Sequence, residues 1–94
     1  MLVKTHEIKG RALDYAVAYS NGHGIDGYHP STDWAQGGPL IEAEGIDLSK
    51  AGRLWWAVKT HKHIATDESA LVAAMRCYVL HKWNDQIEIP EEFA

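Results

Sequence analysis

DESALVAAMRCYVLHKW, Asp67 to Trp83, is the stretch on which the fold turns. Asp67, Glu68 and Ser69 place acid and an N-cap at the positive end of a helix, while His81 and Lys82 fall at its negative end. Leu71, Val72, Met75, Tyr78 and Val79 make a broad apolar face that Ala73, Ala74 and Leu80 carry round the side. That pattern predicts a helix largely buried among other elements. Arg76 stands in its middle among apolar neighbours, and a guanidinium does not shed its proton to enter a core. It needs a carboxylate or a route to water. The expected carboxylate is Asp33 or Glu42, with a head left in solvent as the other reading.

Downstream of this helix, Asn84-Asp85 turns the chain and Gln86-Ile87-Glu88-Ile89 alternates as a strand before Pro90 and the acidic Glu91-Glu92. Upstream, Thr60-His61-Lys62-His63 reads as a polar connection leading directly into the helix. Arg53 to Lys59, RLWWAVK, is rich in strand formers, and with Ile46-Asp47-Leu48 and a turn at Lys50-Ala51-Gly52 it predicts a hairpin. Neighbours on a strand face opposite ways, so Trp55 and Trp56 cannot share a core layer.

STDWAQGGPLIEAEG, Ser31 to Gly45, is dense in punctuation. Ser31 or Thr32 is expected to cap a short turn over Asp33, Trp34, Ala35 and Gln36 that Gly37-Gly38 stops, and Pro39 to open a second turn, Leu40 to Glu44, that Gly45 closes. Before it, NGHGIDGYHP spells GxGxxG at Gly22, Gly24 and Gly27, but a helix precedes these glycines and no helix follows them, so the dinucleotide motif lacks its context. A loose surface loop is the expectation. Gly10 to Ser20 carries Leu13, Ala16 and Val17 at helical spacing, with Arg11 and Asp14 away from the core and Asn21-Gly22 as the stop. Tyr15 and Tyr19 share a flank of this helix, where they cover core or project toward a partner. Leu2 to Thr5 is extended, with Thr5 capping the turn through Ile8. Residues 1–94 are thus expected to form one α+β domain, a small antiparallel or mixed sheet of short strands packed by two main helices, plus short helical turns.

Thirteen acids against nine bases give a net charge of −4, which disfavours direct DNA or RNA binding. Cys77 is the lone cysteine, so neither an internal disulfide nor a multi-thiolate metal site is available, and the cytoplasm is the expected compartment. The N-terminal stretch MLVKTHEIKG lacks the apolar core of a signal peptide, and no apolar run approaches the roughly 18 residues of a membrane span. His61 and His63, with Asp67, are the candidate metal ligands, and a solvated connection explains them as well. Cys77 and His81, four apart, could form a thiolate–imidazole pair, against which stands a buried structural cysteine. His29, Asp33 and Gln36 beside Trp34 could line a polar pocket, unless Trp34 is a core plug. No catalytic set and no cofactor is implied by spacing.

LVKT, then GRALDYAVA, PSTDWAQGGPLIE, a tryptophan strand, ALVAAMRCYVLHK and IEIPEE together resemble the NinX-like family of phage and prophage proteins over nearly the whole chain. The resemblance implies a bacterial or prophage-borne cytoplasmic protein and brings no activity with it. Ser69-Ala70 stands where the family often shows Thr-Pro or a similar pair, and the His23–His29 loop and the His61-Lys62-His63 stretch look peculiar to this chain. The reading that results is a small accessory module that binds an unidentified host or phage protein through Asp33, Trp34, Gln36, Arg76 and Trp56. A small-ligand or enzymatic site at His29, Asp33, Trp34 and Gln36 is the alternative. A third is a role beside phage recombination machinery, exerted through a protein partner.

Overall fold

In the computed structural model, which describes all 94 residues, the deciding stretch supplies helix α3, Ala70–Trp83, and the other elements pack around it. Ser69 is the N-cap, its hydroxyl accepting the Val72 N–H at 3.2 Å. Every residue from Leu71 to Leu80 except Val72 is buried. A helix apolar on all sides has no face to give to water and must be surrounded.

One flank is covered by a three-stranded antiparallel meander of β2, Asp47–Ala51, β3, Leu54–Thr60, and β4, His63–Asp67. Its register aligns Leu48, Ala57 and Ala65 in one row, and the two alanines are buried where α3 lies against the sheet. Trp56, between Ser49 and Thr66, stands exposed on the opposite face, while Trp55 is half-buried against the core. The predicted hairpin is β2–β3, with Gly52 at φ 62° supplying the left-handed position in its two-residue loop. Strand β4 departs from the expected connection. The chain turns at His61-Lys62 and returns along β3, because Ile64 and Thr66 suit a pleated outer face while Ala65 enters the core.

Helices α1, Gly10–Asn21, and α2, Trp34–Glu44, meet α3 as well, and β1, Leu2–Lys4, pairs antiparallel with β5, Gln86–Glu88, in a separate two-stranded sheet. The α+β class stands, with two antiparallel sheets instead of one. Leu13, Ala16, Val17, Met75, Val79 and Ile89 lie at the centre of a cluster of 18 buried apolar residues.

Several local expectations are corrected. Residues 34–44 form one helix and not two turns, and its cap is Asp33, whose Oδ1 accepts the Ala35 N–H at 2.9 Å. Gly37 is buried inside that helix because a Cβ there would run into the Pro30 carbonyl and come within 2.7 Å of Leu71 Cδ1. Close approach, and not helix termination, requires the glycine. Pro39 lies on the exposed side, as does Ala35, whose carbonyl loses its i+4 donor to the missing proline N–H. The 22–32 loop is pinned: Tyr28, Pro30 and Ser31 are buried, His23 stacks on Tyr28 at 3.9 Å, and Asn21 donates to the Tyr28 hydroxyl at 2.8 Å. Asp14 is buried too, its Oδ1 accepting the Ser31 N–H at 3.0 Å. Thr5 caps no turn; its hydroxyl donates to the Asn84 carbonyl at 2.5 Å and ties β1 to the chain before β5.

Candidate functional site

Helical spacing puts Tyr15 and Tyr19 on one flank of α1, and there they stack, centroids 6.0 Å apart and planes 9° from parallel. Phe93, from the 3-10 turn Glu91–Phe93, stacks on Tyr15 at 4.9 Å, and Trp83, the last residue of α3, stacks on Tyr19 at 5.5 Å. Four rings from three parts of the chain thus form one ladder, which the Arg11 guanidinium closes at 4.9 Å over Phe93. The outer end is fixed by a relay: Trp83 Nε1 donates to Ser20 Oγ at 2.8 Å, and that hydroxyl donates to the Ala16 carbonyl at 2.6 Å.

The ladder faces a groove of about 360 Å³ whose other wall is Met1, Gln86 to Ile89 and Pro90. A second hollow of about 410 Å³, sharing Met1, continues past Phe93 along Lys9 to Ala12. Tyr19 is 58% exposed, Trp83 39% and Met1 63%, so this is a concave aromatic surface open to solvent. Tyr19 does not cover core as expected; it projects. Only the Tyr15–Tyr19 spacing announces this surface in the sequence, since Trp83 and Phe93 arrive from the far end of the chain.

The residues singled out from sequence lie elsewhere, and their side chains do not converge on one pocket. Asp33 is spent on its cap. Gln36 braces the preceding loop, its Oε1 accepting the His29 N–H at 2.5 Å and its Nε2 donating to the Gly27 carbonyl at 2.9 Å. Trp34 is 55% exposed and so is no core plug. His29 Nδ1 instead lies 3.7 Å from Asp14 Oδ2, in a cavity of about 230 Å³ with Arg11 and Asp26. Arg76 pairs neither with Asp33 nor with Glu42: it meets Asp67 at 3.0 Å and donates to the carbonyls of Ile8 at 2.7 Å, Thr66 at 2.9 Å and Glu7 at 3.3 Å. The unanticipated β4 delivers that partner.

The same strand separates the candidate metal ligands. His61 is exposed on a turn, His63 Nδ1 meets Thr60 Oγ1 at 2.8 Å, and Asp67 is committed to Arg76 and the Ser69 N–H. Cys77 bonds not to His81 but to the His63 carbonyl, at 3.2 Å, and burial pushes its thiol up to about 11. His81 sits edge-on to His63 at 5.0 Å with its Nδ1 buried and unpartnered. Burial, helped by Lys59, His63 and Lys82 and opposed by Glu44, lowers its pKa.

No helix is long and apolar enough to cross a membrane. The family model described as Bacteriophage P22, NinX matches residues 24–82, from the loop before α2 to the last turn of α3. The residues of the aromatic groove lie on either side of that span. No curated protein matches the chain.

Proposed function

Because this chain belongs to the phage P22 NinX family, we propose that it is a small phage accessory protein that works by docking another protein, without chemistry of its own. The observation that carries this reading is the ladder Trp83–Tyr19–Tyr15–Phe93, exposed at its Trp83 and Tyr19 end beside a groove. Aromatic side chains already held by stacking lose little freedom on binding and bring large contact area, which is why they dominate protein interfaces. Trp34 and Trp56, the latter 41% exposed, serve as outlying contacts, while Asp33, Gln36 and Arg76 act by holding the frame.

A ligand site is favoured by one observation only. The buried Asp14 carboxylate and the exposed His29 imidazole, 3.7 Å apart, together line a polar cavity, so a small hydrogen-bonding molecule could be held beside them. A role beside phage recombination machinery is compatible with docking, because contact would run through the partner.

The test is affinity capture from phage-infected lysate with the intact protein, Tyr19→Ala/Trp83→Ala and Trp34→Ala, each checked for native circular dichroism. Partners lost in the double variant and kept by Trp34→Ala support the groove. Partners kept by the double variant, or none with the intact protein, overturn it.

A further inference from the structure

We propose that the groove takes its partner as an added strand on β5, and that the segment it takes is extended and basic, an inference that rests on the docking role above. The backbone carries the first part. Met1 and Ile89 exchange both of their main-chain bonds, and the Thr5 N–H reaches the Asp85 carbonyl at 2.9 Å. In an antiparallel pair such bonded positions alternate with unbonded ones, so Gln86 and Glu88 turn their N–H and C=O groups away from β1. β5 has no neighbour on that side. An unpaired edge of this kind is a template for a further strand.

The groove supplies the second part. Its lining joins Gln86 and Glu88 to Tyr15, Tyr19 and Trp83, so a strand laid along the edge would set alternate side chains over the rings. Pro90 has no N–H to offer and ends the usable edge after a few residues, which fits a short linear segment better than a folded sheet.

Charge selects the class of segment. Asp85, Glu88, Glu91 and Glu92 stand exposed within 85–92, where there is no lysine or arginine, and of the four only Glu88 has an ionic partner, the Met1 ammonium. Sheet edges are commonly protected by lysine; this one is flanked by acid, which leaves pairing with another acidic strand unfavourable and welcomes Lys or Arg alternating with apolar anchors.

The experiment selects a library of capped nonapeptides, randomised at every position, on the immobilised full chain, and follows the enriched peptides by fluorescence anisotropy and amide hydrogen exchange. Enriched peptides should alternate Lys or Arg with apolar residues, bind at least tenfold more weakly to Glu88→Lys and to Tyr19→Ala, and slow exchange of the Gln86 and Glu88 amides. Enrichment of acidic sequences, anchors at helical i, i+3, i+4 spacing, a second copy of the chain seated on the edge, or unchanged exchange at Gln86 and Glu88 overturns the proposal. If the groove variants lose their lysate partner but no such peptide emerges, docking stands and strand addition falls. If those variants keep the partner, docking itself has failed.

Discussion

Arg76 Nη1 lies 3.0 Å from Asp67 Oδ1, and through its other contacts the same guanidinium holds the backbone of Glu7, Ile8 and Thr66. One side chain of α3 therefore fastens the entry to α1 and the end of β4. Truncation to Arg76→Ala leaves a carboxylate and three carbonyls without their donor, and should cost about 3–5 kcal/mol. Asp67→Asn keeps the carbonyl bonds and should cost less, about 1–3 kcal/mol. Urea unfolding of both variants checks the order; equal losses would mean that the ion pair alone matters.

Gly37 and Gly38 are neighbours in one helix with opposite surroundings. Alanine favours a helix by up to about 1 kcal/mol over glycine. Gly38→Ala meets nothing within 4 Å and should gain that amount. Gly37→Ala meets Pro30 and Leu71 and should lose about 1–3 kcal/mol despite it. Thermal melts of the two single variants should move in opposite directions.

His81 gives the fold a pH dependence with a definite sign. Its folded pKa is lowered, so as pH falls the unfolded chain takes up a proton at the ordinary value of 6.5 before the folded one does. The stabilisation is full above that value and is lost as pH falls below it toward the folded pKa. Lys59 on β3, His63 on β4 and Lys82 resist the new charge, and Glu44 at the end of α2 opposes them. Urea midpoints measured from about pH 7.5 down to about pH 5.5 should fall less steeply in His81→Asn than in the parent.

Cys77 should be silent to thiol reagents while the protein is folded. It is fully buried, and a thiol with a pKa of about 11 carries almost no thiolate near neutrality. Labelling with a chromogenic disulfide at about pH 8 should track global unfolding in urea. Fast labelling in native buffer would place the thiol nearer solvent.

What the sequence made legible were features written in neighbouring residues. The serine cap of α3, its apolar circumference and the β2–β3 hairpin rest on local period and capping, and each stands. β4 was hidden because five residues opening on a histidine resemble a polar connection until β3 is there to pair with. The error on Arg76 followed from it, since Asp67 read as helix-capping acid and not as strand. Gly37, Gly38 and Pro39 looked like breakers, yet the space allowed by Pro30 and Leu71 decides α2. Of the aromatic ladder only the Tyr15–Tyr19 spacing was readable; its other two rings depend on where α3 and the 3-10 turn end.

Pairing of β1 with β5 also governs how the protein is made. Met1 and Ile89 are bonded although 88 positions apart, so the first strand leaves the ribosome long before its partner exists. At about 5–20 residues per second that interval is roughly 4 to 18 s. During it Leu2, Val3 and the α1 tyrosines have no β5 to rest on, and nascent chains are open to capture by chaperones or by one another. Completion of this small sheet waits until β5 has been made, and a ribosome paused before residue 86 would display a chain whose groove has only one wall.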